Sequence, residues 1–138
     1  MPKKEKKQTI GEIIAEARKQ SGLSLRAVAG RIPVSSTYLY EIEKGSRMPS
    51  EKVIKALSEQ SELNLNFDYM MAHSGRIGEE AETYFKNNPT FGKIIRKVAK
   101  KNLNENDLKS LVDVIDKINS YFPADNHSFH IRVKQVDR

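Results

Sequence analysis

The sequence contains no cysteine and no long apolar run. The absence of cysteine excludes disulfides, thiolate metal sites and a cysteine nucleophile. No segment has the roughly 18 consecutive apolar residues that a membrane-spanning helix needs. The first residues, Met1-Pro-Lys-Lys-Glu-Lys-Lys, also lack the apolar stretch of a signal peptide. We therefore expect no membrane association and a cytoplasmic location.

Motifs for catalysis and cofactor binding are also missing. The three histidines, His73, His127 and His130, have no cysteine or carboxylate at the spacing of a metal site. No glycine-rich phosphate loop occurs, and serine, histidine and aspartate form no local nucleophile motif. The sequence thus predicts a protein that is not an enzyme and that holds no metal and no cofactor.

Basic residues are in excess: the 138-residue chain has 24 Lys and Arg against 18 Asp and Glu, a formal charge of +6. A charge of this sign suits a polyanionic partner, although many soluble proteins share it. The basic and acidic residues are spread evenly over the two halves of the chain. Binding to a polyanion would therefore depend on local clusters of positive charge.

The spacing of apolar residues predicts an all-α protein in four segments. Residues 1–8 are polar and lysine-rich and are expected to form a disordered basic arm. Residues 9–72 predict five short helices, with Thr9, Ser24 and Ser35 as N-caps. Residues 73–78, with two glycines, predict a linker, and residues 79–138 predict a small helical C-terminal module.

An apolar stripe in the C-terminal module has the spacing 3, 4, 3 and 4. Its members are Leu108, Leu111, Ile115, Ile118 and Phe122. Two heptads do not distinguish a helix hairpin within one subunit from the seam of a dimer. The alternation over residues 127–136 is typical of a β-strand, which either pairs with a twin in another subunit or stays loose.

The segment from Ser24 to Gly45 predicts a helix-turn-helix, whose second helix enters the major groove of DNA. With Leu39 and Ile42 buried, the outward residues of that helix are Ser36, Thr37, Tyr40, Glu41 and Lys44. Hydroxyl groups can contact base edges or phosphates, and a carboxylate can accept from cytosine. None of these residues makes the bidentate arginine–guanine or glutamine–adenine contact, which is worth ~1–3 kcal/mol of discrimination between bases. We therefore expect DNA shape or paired half-sites to add specificity.

These residues resemble the XRE-type regulators, the family of the phage repressors and Cro. The resemblance covers about Ile10 to Met71 and rests on IGEIIAEARKQSGLS, on Ala29, and on VSSTYLYEIEKGSRMPS. It implies a five-helix repressor-like domain that binds double-stranded DNA. It also implies a protein of the prokaryotic cytoplasm or nucleoid, or one encoded by a phage.

The resemblance assigns roles to individual residues. The base-reading positions are Ser36, Thr37, Tyr40 and Glu41. The phosphate-binding positions are Ser24, Arg26, Ser35, Lys44, Ser46 and Arg47. It further implies a structural ion pair between Arg18 and Glu43, which makes Glu43 a scaffold residue and not a DNA contact.

The sequence departs from the family pattern at two positions. Leu25 stands where the family often has a phosphate-binding glutamine, so Ser24 or Arg26 would have to provide that contact. Pro33 replaces the usual turn glycine, and proline cannot adopt a positive φ. We therefore expect a turn of a different shape.

Two classes of function fit the sequence. The first is a homodimeric transcriptional repressor that binds a near-palindromic operator, with the stripe from Leu108 to Phe122 mediating dimerisation. The second is a protein-interaction factor, such as an antitoxin that autoregulates. The C-terminal module also resembles, loosely, repressors that a partner metallopeptidase inactivates. A toxin or a regulatory peptidase is therefore a further candidate partner.

Overall fold

The structure of the protein, a computed structural model, describes residues 6–121 and the side chains of residues 6–118. All secondary-structure elements in this part of the chain are helices, which confirms the predicted all-α class. Its elements are α1 (Ile10–Gln20), α2 (Leu25–Ala29), α3 (Ser36–Glu43), α4 (Glu51–Ser58), a 3₁₀ turn (Ser61–Leu63), α5 (Phe67–His73), α6 (Glu79–Asn87), α7 (Pro89–Lys101) and α8 (Glu105–Tyr121). Phe122, the predicted strand and the first five residues of the predicted arm lie outside the described residues.

Side-chain caps begin the early helices where the sequence places them. Thr9 forms a capping box with Glu12, in which each side chain accepts a hydrogen bond from the other residue's backbone N–H. Ser24, Ser35 and Ser50 accept from the backbone N–H three residues on and thereby begin α2, α3 and α4. The predicted N-caps Thr9, Ser24 and Ser35 are thus confirmed, and local hydrogen bonds define the N-terminal ends of α1 to α4.

One hydrophobic core holds α1 to α5 together. Its completely or nearly completely buried side chains come from every one of these helices and are Ile14, Val28, Leu39, Ile42, Ile54, Leu57 and Met70. Burial of this kind contributes roughly 1.5–3 kcal/mol for each large side chain. The core therefore fixes α3 in place while one face of that helix stays in contact with solvent.

The segment between α5 and α6 is fastened to the start of α4. Arg76 donates hydrogen bonds to the carbonyl oxygen of Pro49 and to Ser74 Oγ. Glu51 Oε2 accepts from the backbone N–H of Glu79 at 2.8 Å and so caps α6. The glycines at 75 and 78 both have positive φ, at 68° and 100°. The two glycines thus allow the sharp turns that these contacts need.

The chain divides into two compact units, Met1–Asn87 and Asn88–Arg138, so α6 belongs to the first. The domain boundaries predicted from the sequence stay a prediction. In the second unit, Pro89 stands in the first turn of α7, and Asn104 and Asp107 form a reciprocal cap at the start of α8. No helix in residues 6–121 is long and apolar enough to span a membrane.

Candidate nucleic-acid interface

The turn between α2 and α3 accommodates Pro33 without any left-handed residue. Short-range hydrogen bonds join Gly30 N–H to Arg26 O, Arg31 N–H to Val28 O, and Val34 N–H to Ile32 O. Between Gly22 and Gly45, no residue has a positive φ. The turn is therefore a tight continuation of α2 that needs no left-handed residue, which is compatible with the restricted φ of proline.

A close backbone approach sets the position of α1 against α3. A Cβ atom on Gly11 would lie 2.2 Å from the carbonyl oxygen of Ile42 and 3.0 Å from that of Glu43. No side chain fits in this space, because real Cβ atoms do not approach oxygen so closely. Gly11 therefore lets the first turn of α1 pack directly on the last turn of α3, although it has an ordinary helical conformation.

An ion pair fastens the other end of α1 to α3. Arg18 Nε lies 2.6 Å from Glu43 Oε1, and Arg18 donates a second hydrogen bond to Glu43 Oε2 at 2.9 Å. A third goes to the carbonyl oxygen of Leu23 at 3.0 Å. The two side chains are only 13% and 7% exposed. Hydrogen bonding to Glu43 raises the pKa of the Arg18 guanidinium above its usual value, although burial acts in the opposite direction.

The outer face of α3 carries the four candidate base-reading residues. Thr37 and Tyr40 are exposed, whereas Ser36 and Glu41 are half-buried. The opposite face of the helix holds Leu39 and Ile42, both 0% exposed. A rigid helix with one polar face open to solvent has the form of a recognition helix.

Glu41 and Arg47, assigned to different roles, are joined to each other. Arg47 Nε lies 2.7 Å from Glu41 Oε2, and the Arg47 guanidinium stacks on the Tyr38 ring at 4.8 Å from its centroid. The carbonyl oxygen of Glu41 also accepts from the backbone N–H groups of Ser46 and Arg47. The loop after α3 is thus anchored on Glu41, and the positive charge of Arg47 is partly neutralised.

The other candidate phosphate ligands differ in their availability. Ser24 Oγ and Ser35 Oγ accept the capping hydrogen bonds of α2 and α3, which leaves each hydroxyl hydrogen to donate. Arg26 is exposed, and Lys44 is exposed with its Nζ 5.5 Å from the centroid of the Tyr40 ring. Ser46 instead donates both its hydroxyl and its N–H to the carbonyl oxygen of Glu41. Ser46 would have to break these bonds to donate to a phosphate.

Sequence reasoning missed two residues of this site. Tyr38 is a platform for the Arg47 guanidinium, and this role leaves no local signal because it depends on the path of the loop. Gly11 also has no signal of its own, because glycine in a helix is recognisable as a close contact only when the neighbouring helix is known. Within the described part of the chain, no group of three His, Asp or Glu residues is placed to hold a metal ion.

Part of the chain is similar to known helix-turn-helix proteins. A helix-turn-helix domain family matches residues 11–74. Two curated relatives are the transcriptional regulator ClgR of Mycobacterium tuberculosis, from strains CDC 1551 / Oshkosh and ATCC 25618 / H37Rv. Each is 33% identical over 60 residues, which make up 44% of this chain and 54% of the relative. The chain therefore spans about half the length of the curated relatives that it matches.

One solved structure, a complex of a SinR protein with a SinI protein, is similar to a larger part of the chain. The similarity covers 81% of this chain and 99% of the other, at 22% identity and a TM-score of 0.41.

Proposed function

Residues 11–74 form a helix-turn-helix domain of the XRE type, and from that premise we propose that the protein is a sequence-specific DNA-binding regulator of transcription. More specifically, it is a homodimeric repressor of a near-palindromic operator. The observation that carries the proposal is the polar face of α3, which is held rigidly by Gly11, Leu39, Ile42 and the ion pair of Arg18 with Glu43.

In this proposal α3 lies in the major groove. Ser36, Thr37, Tyr40 and Glu41 read base edges from its outer face. The hydroxyls of Ser24 and Ser35, which retain a hydrogen to donate, bind phosphates on either side, together with Arg26, Lys44 and Arg47. Ser46 is the weakest member of this group, because its donors are already used within the protein.

The pairing of Glu41 with Arg47 makes the role of Glu41 testable. If Glu41 accepts from a cytosine, Glu41→Gln should change the preferred base at one position of the site. If its main effect is to neutralise Arg47, the same substitution should strengthen binding to all sequences alike, because the guanidinium becomes available to phosphates. Binding to single-base variants of the preferred DNA site distinguishes the two outcomes, with Glu16→Gln on α1 as the control for the loss of one negative charge.

Dimerisation is proposed to occur through the second unit. Among its described residues no large apolar side chain is buried, and the exposed ones include Ile94, Ile95, Val112, Ile115 and Ile118 at 43–56%. Helices of this length need an apolar partner surface for stability. A second copy of the chain provides one, and a dimer would present two α3 helices to half-sites about one turn of DNA, ~34 Å, apart.

Sedimentation of single variants tests this interface. Ile115→Asp places a charge in the stripe and should convert dimers into monomers. Asn106→Asp is the matched control, since Asn106 is exposed and lies on the side of α8 opposite the stripe. Dimers that persist in Ile115→Asp, or a monomeric wild type, would exclude this interface.

The alternative functions predicted from the sequence stay predictions. An autoregulating antitoxin or a repressor inactivated by a metallopeptidase would use the same apolar face for another protein. A neighbouring toxin gene or zinc-peptidase gene would favour these alternatives.

A further inference from the structure

The stretch between Glu82 and Glu105 concentrates the positive charge of the chain. It contains no acidic residue and six basic ones, so its formal charge equals the +6 of the entire protein. Five of the six lie on α7 and are all exposed: Lys93, Arg96, Lys97, Lys100 and Lys101. Within the described residues, none of these five forms an ion pair.

The positive charges of α7 form one continuous face. At 3.6 residues per turn, the five basic residues lie together on one side of the helix. The apolar residues Phe91, Ile94, Ile95 and Val98 fall on the other side. A second copy of the chain that covers the apolar side would therefore leave the basic face in solvent.

This arrangement is unfavourable for an isolated helix. Lys93 with Lys97, Arg96 with Lys100, and Lys97 with Lys101 are like-charged pairs four residues apart. Such pairs destabilise a helix, and no acidic side chain on α7 offsets them. Lys100 and Lys101 gain some stabilisation from the C-terminal end of the helix dipole, but Lys93 and Arg96 lie too far from that end. A bound polyanion would remove the repulsion along the complete face.

We propose that the basic face of α7 is a second DNA-binding surface that contacts the phosphate backbone without reading bases. The proposal rests on the proposed function of the first unit. From Lys93 to Lys101 the face extends about 12 Å at 1.5 Å per residue. Duplex DNA carries one negative charge per about 1.7 Å of axis, so roughly seven phosphates lie within that length. DNA therefore offers sufficient charge to neutralise all five side chains.

The charges of the neighbouring helix favour DNA over an anionic membrane. The following helix, α8, carries four acidic residues, Glu105, Asp107, Asp113 and Asp116, against two lysines. It also carries much of the exposed apolar surface of this unit. If that surface entered a lipid interface, the carboxylates of α8 would approach anionic headgroups and be repelled. Contact with DNA needs only the basic face of α7.

A pair of charge-matched double variants of the full chain tests the proposal. R96Q/K97Q removes two charges from α7, and K86Q/K109Q removes two exposed charges from α6 and α8. Glutamine has nearly the helix propensity of lysine and arginine, so circular dichroism should show unchanged helix content in both. Affinity for a DNA duplex of unrelated sequence is measured at several salt concentrations, together with sedimentation and binding to phosphatidylglycerol vesicles.

The expected result is a shallower salt dependence for R96Q/K97Q alone. Each lost phosphate contact lowers the slope of log affinity against log salt by about 0.9, so the double variant should lose about 1.8 per subunit. Equal slopes for the two double variants would overturn the proposal while leaving the proposed function intact. A wild type that binds no DNA at low salt would instead refute the proposed function.

Two other outcomes would also overturn it. Vesicle binding that R96Q/K97Q abolishes, with an unchanged DNA slope, would assign the basic face to a membrane. Loss of dimers in R96Q/K97Q alone would assign it to the carboxylates of a second copy.

Discussion

Removing one member of the pair of Arg18 and Glu43 tests whether Glu43 holds the domain together or contacts DNA. In Arg18→Met the carboxylate of Glu43, which is 7% exposed, loses both of its hydrogen bonds from the guanidinium. An uncompensated buried charge of this kind costs about 3–5 kcal/mol. We expect the lower end of that range, because the pair is not fully buried in the wild type (13% exposure for the Arg18 side chain and 7% for that of Glu43), so water can reach the Glu43 carboxylate in the variant.

A loss of about 3 kcal/mol is large for a domain of this size. For domains of 60–100 residues, 1 kcal/mol shifts Tm by about 4–8 °C, so Arg18→Met should lower Tm by about 12–24 °C. Urea unfolding followed by circular dichroism gives the free energy directly. Arg31→Met is the matched control, because Arg31 and Glu62 pair at 2.8 Å with both side chains 41–50% exposed, and its midpoint should stay close to the wild type.

The double variant R18M/E43M separates the pair from its individual members. With both charges absent, most of the lost stability should return. The unpaired carbonyl oxygen of Leu23 should account for about 1 kcal/mol of the remainder. A loss of less than about 1 kcal/mol in the free energy of unfolding of Arg18→Met would refute the reasoning. A double variant that loses as much as Arg18→Met and Glu43→Met added together would also refute it.

Two further predictions concern stability. Gly11→Ala should prevent native packing of α1 on α3, because the added Cβ would meet the carbonyl oxygen of Ile42. Gly75→Ala is the control and should fold with a smaller loss of stability, caused by its positive φ. Similar unfolding midpoints for the two variants would contradict this prediction. A hydrogen bond from the backbone N–H of Glu62 itself, followed by the hydrogen bond from Arg31, lowers the pKa of the Glu62 carboxyl below its usual 4.5. The Arg31–Glu62 pair should therefore stabilise the fold above that pH and lose its effect as the pH falls through the lowered pKa. The small difference in free energy of unfolding that we expect between wild type and Arg31→Met at neutral pH should then disappear in acid, and a difference that does not change with pH would exclude a contribution from the pair.

Local features of the fold were predictable from the sequence because they depend on near neighbours. Thr9, Ser24 and Ser35 cap helices through the backbone three residues on, and the apolar spacing placed Leu39 and Ile42 in the core. Pro33 excluded a positive φ at its own position for the same reason, since its ring restricts its own backbone.

The remaining features arise from contacts between segments. The contact of Gly11 with Ile42 and the stacking of Arg47 on Tyr38 depend on how helices and loops meet in space. The apolar spacing from Leu108 to Phe122 indicated a stripe on α8, but it did not show that the apolar side chains of α7 and α8 stay exposed in a single chain. Whether an apolar face stays exposed depends on the other segments that pack against it, and the sequence of one helix does not specify those segments.

The most direct test of the central claim is selection of DNA sequences from a random pool by the purified protein. The account predicts enrichment of one near-palindromic sequence, bound with an affinity that falls steeply as salt rises. Thr37→Ala should change the enriched bases, whereas Lys44→Ala should weaken binding to all sequences alike. Failure to enrich any sequence would contradict base reading by the outer face of α3. Enrichment of the same sequence by the wild type and by the double variant T37A/Y40A would also contradict it.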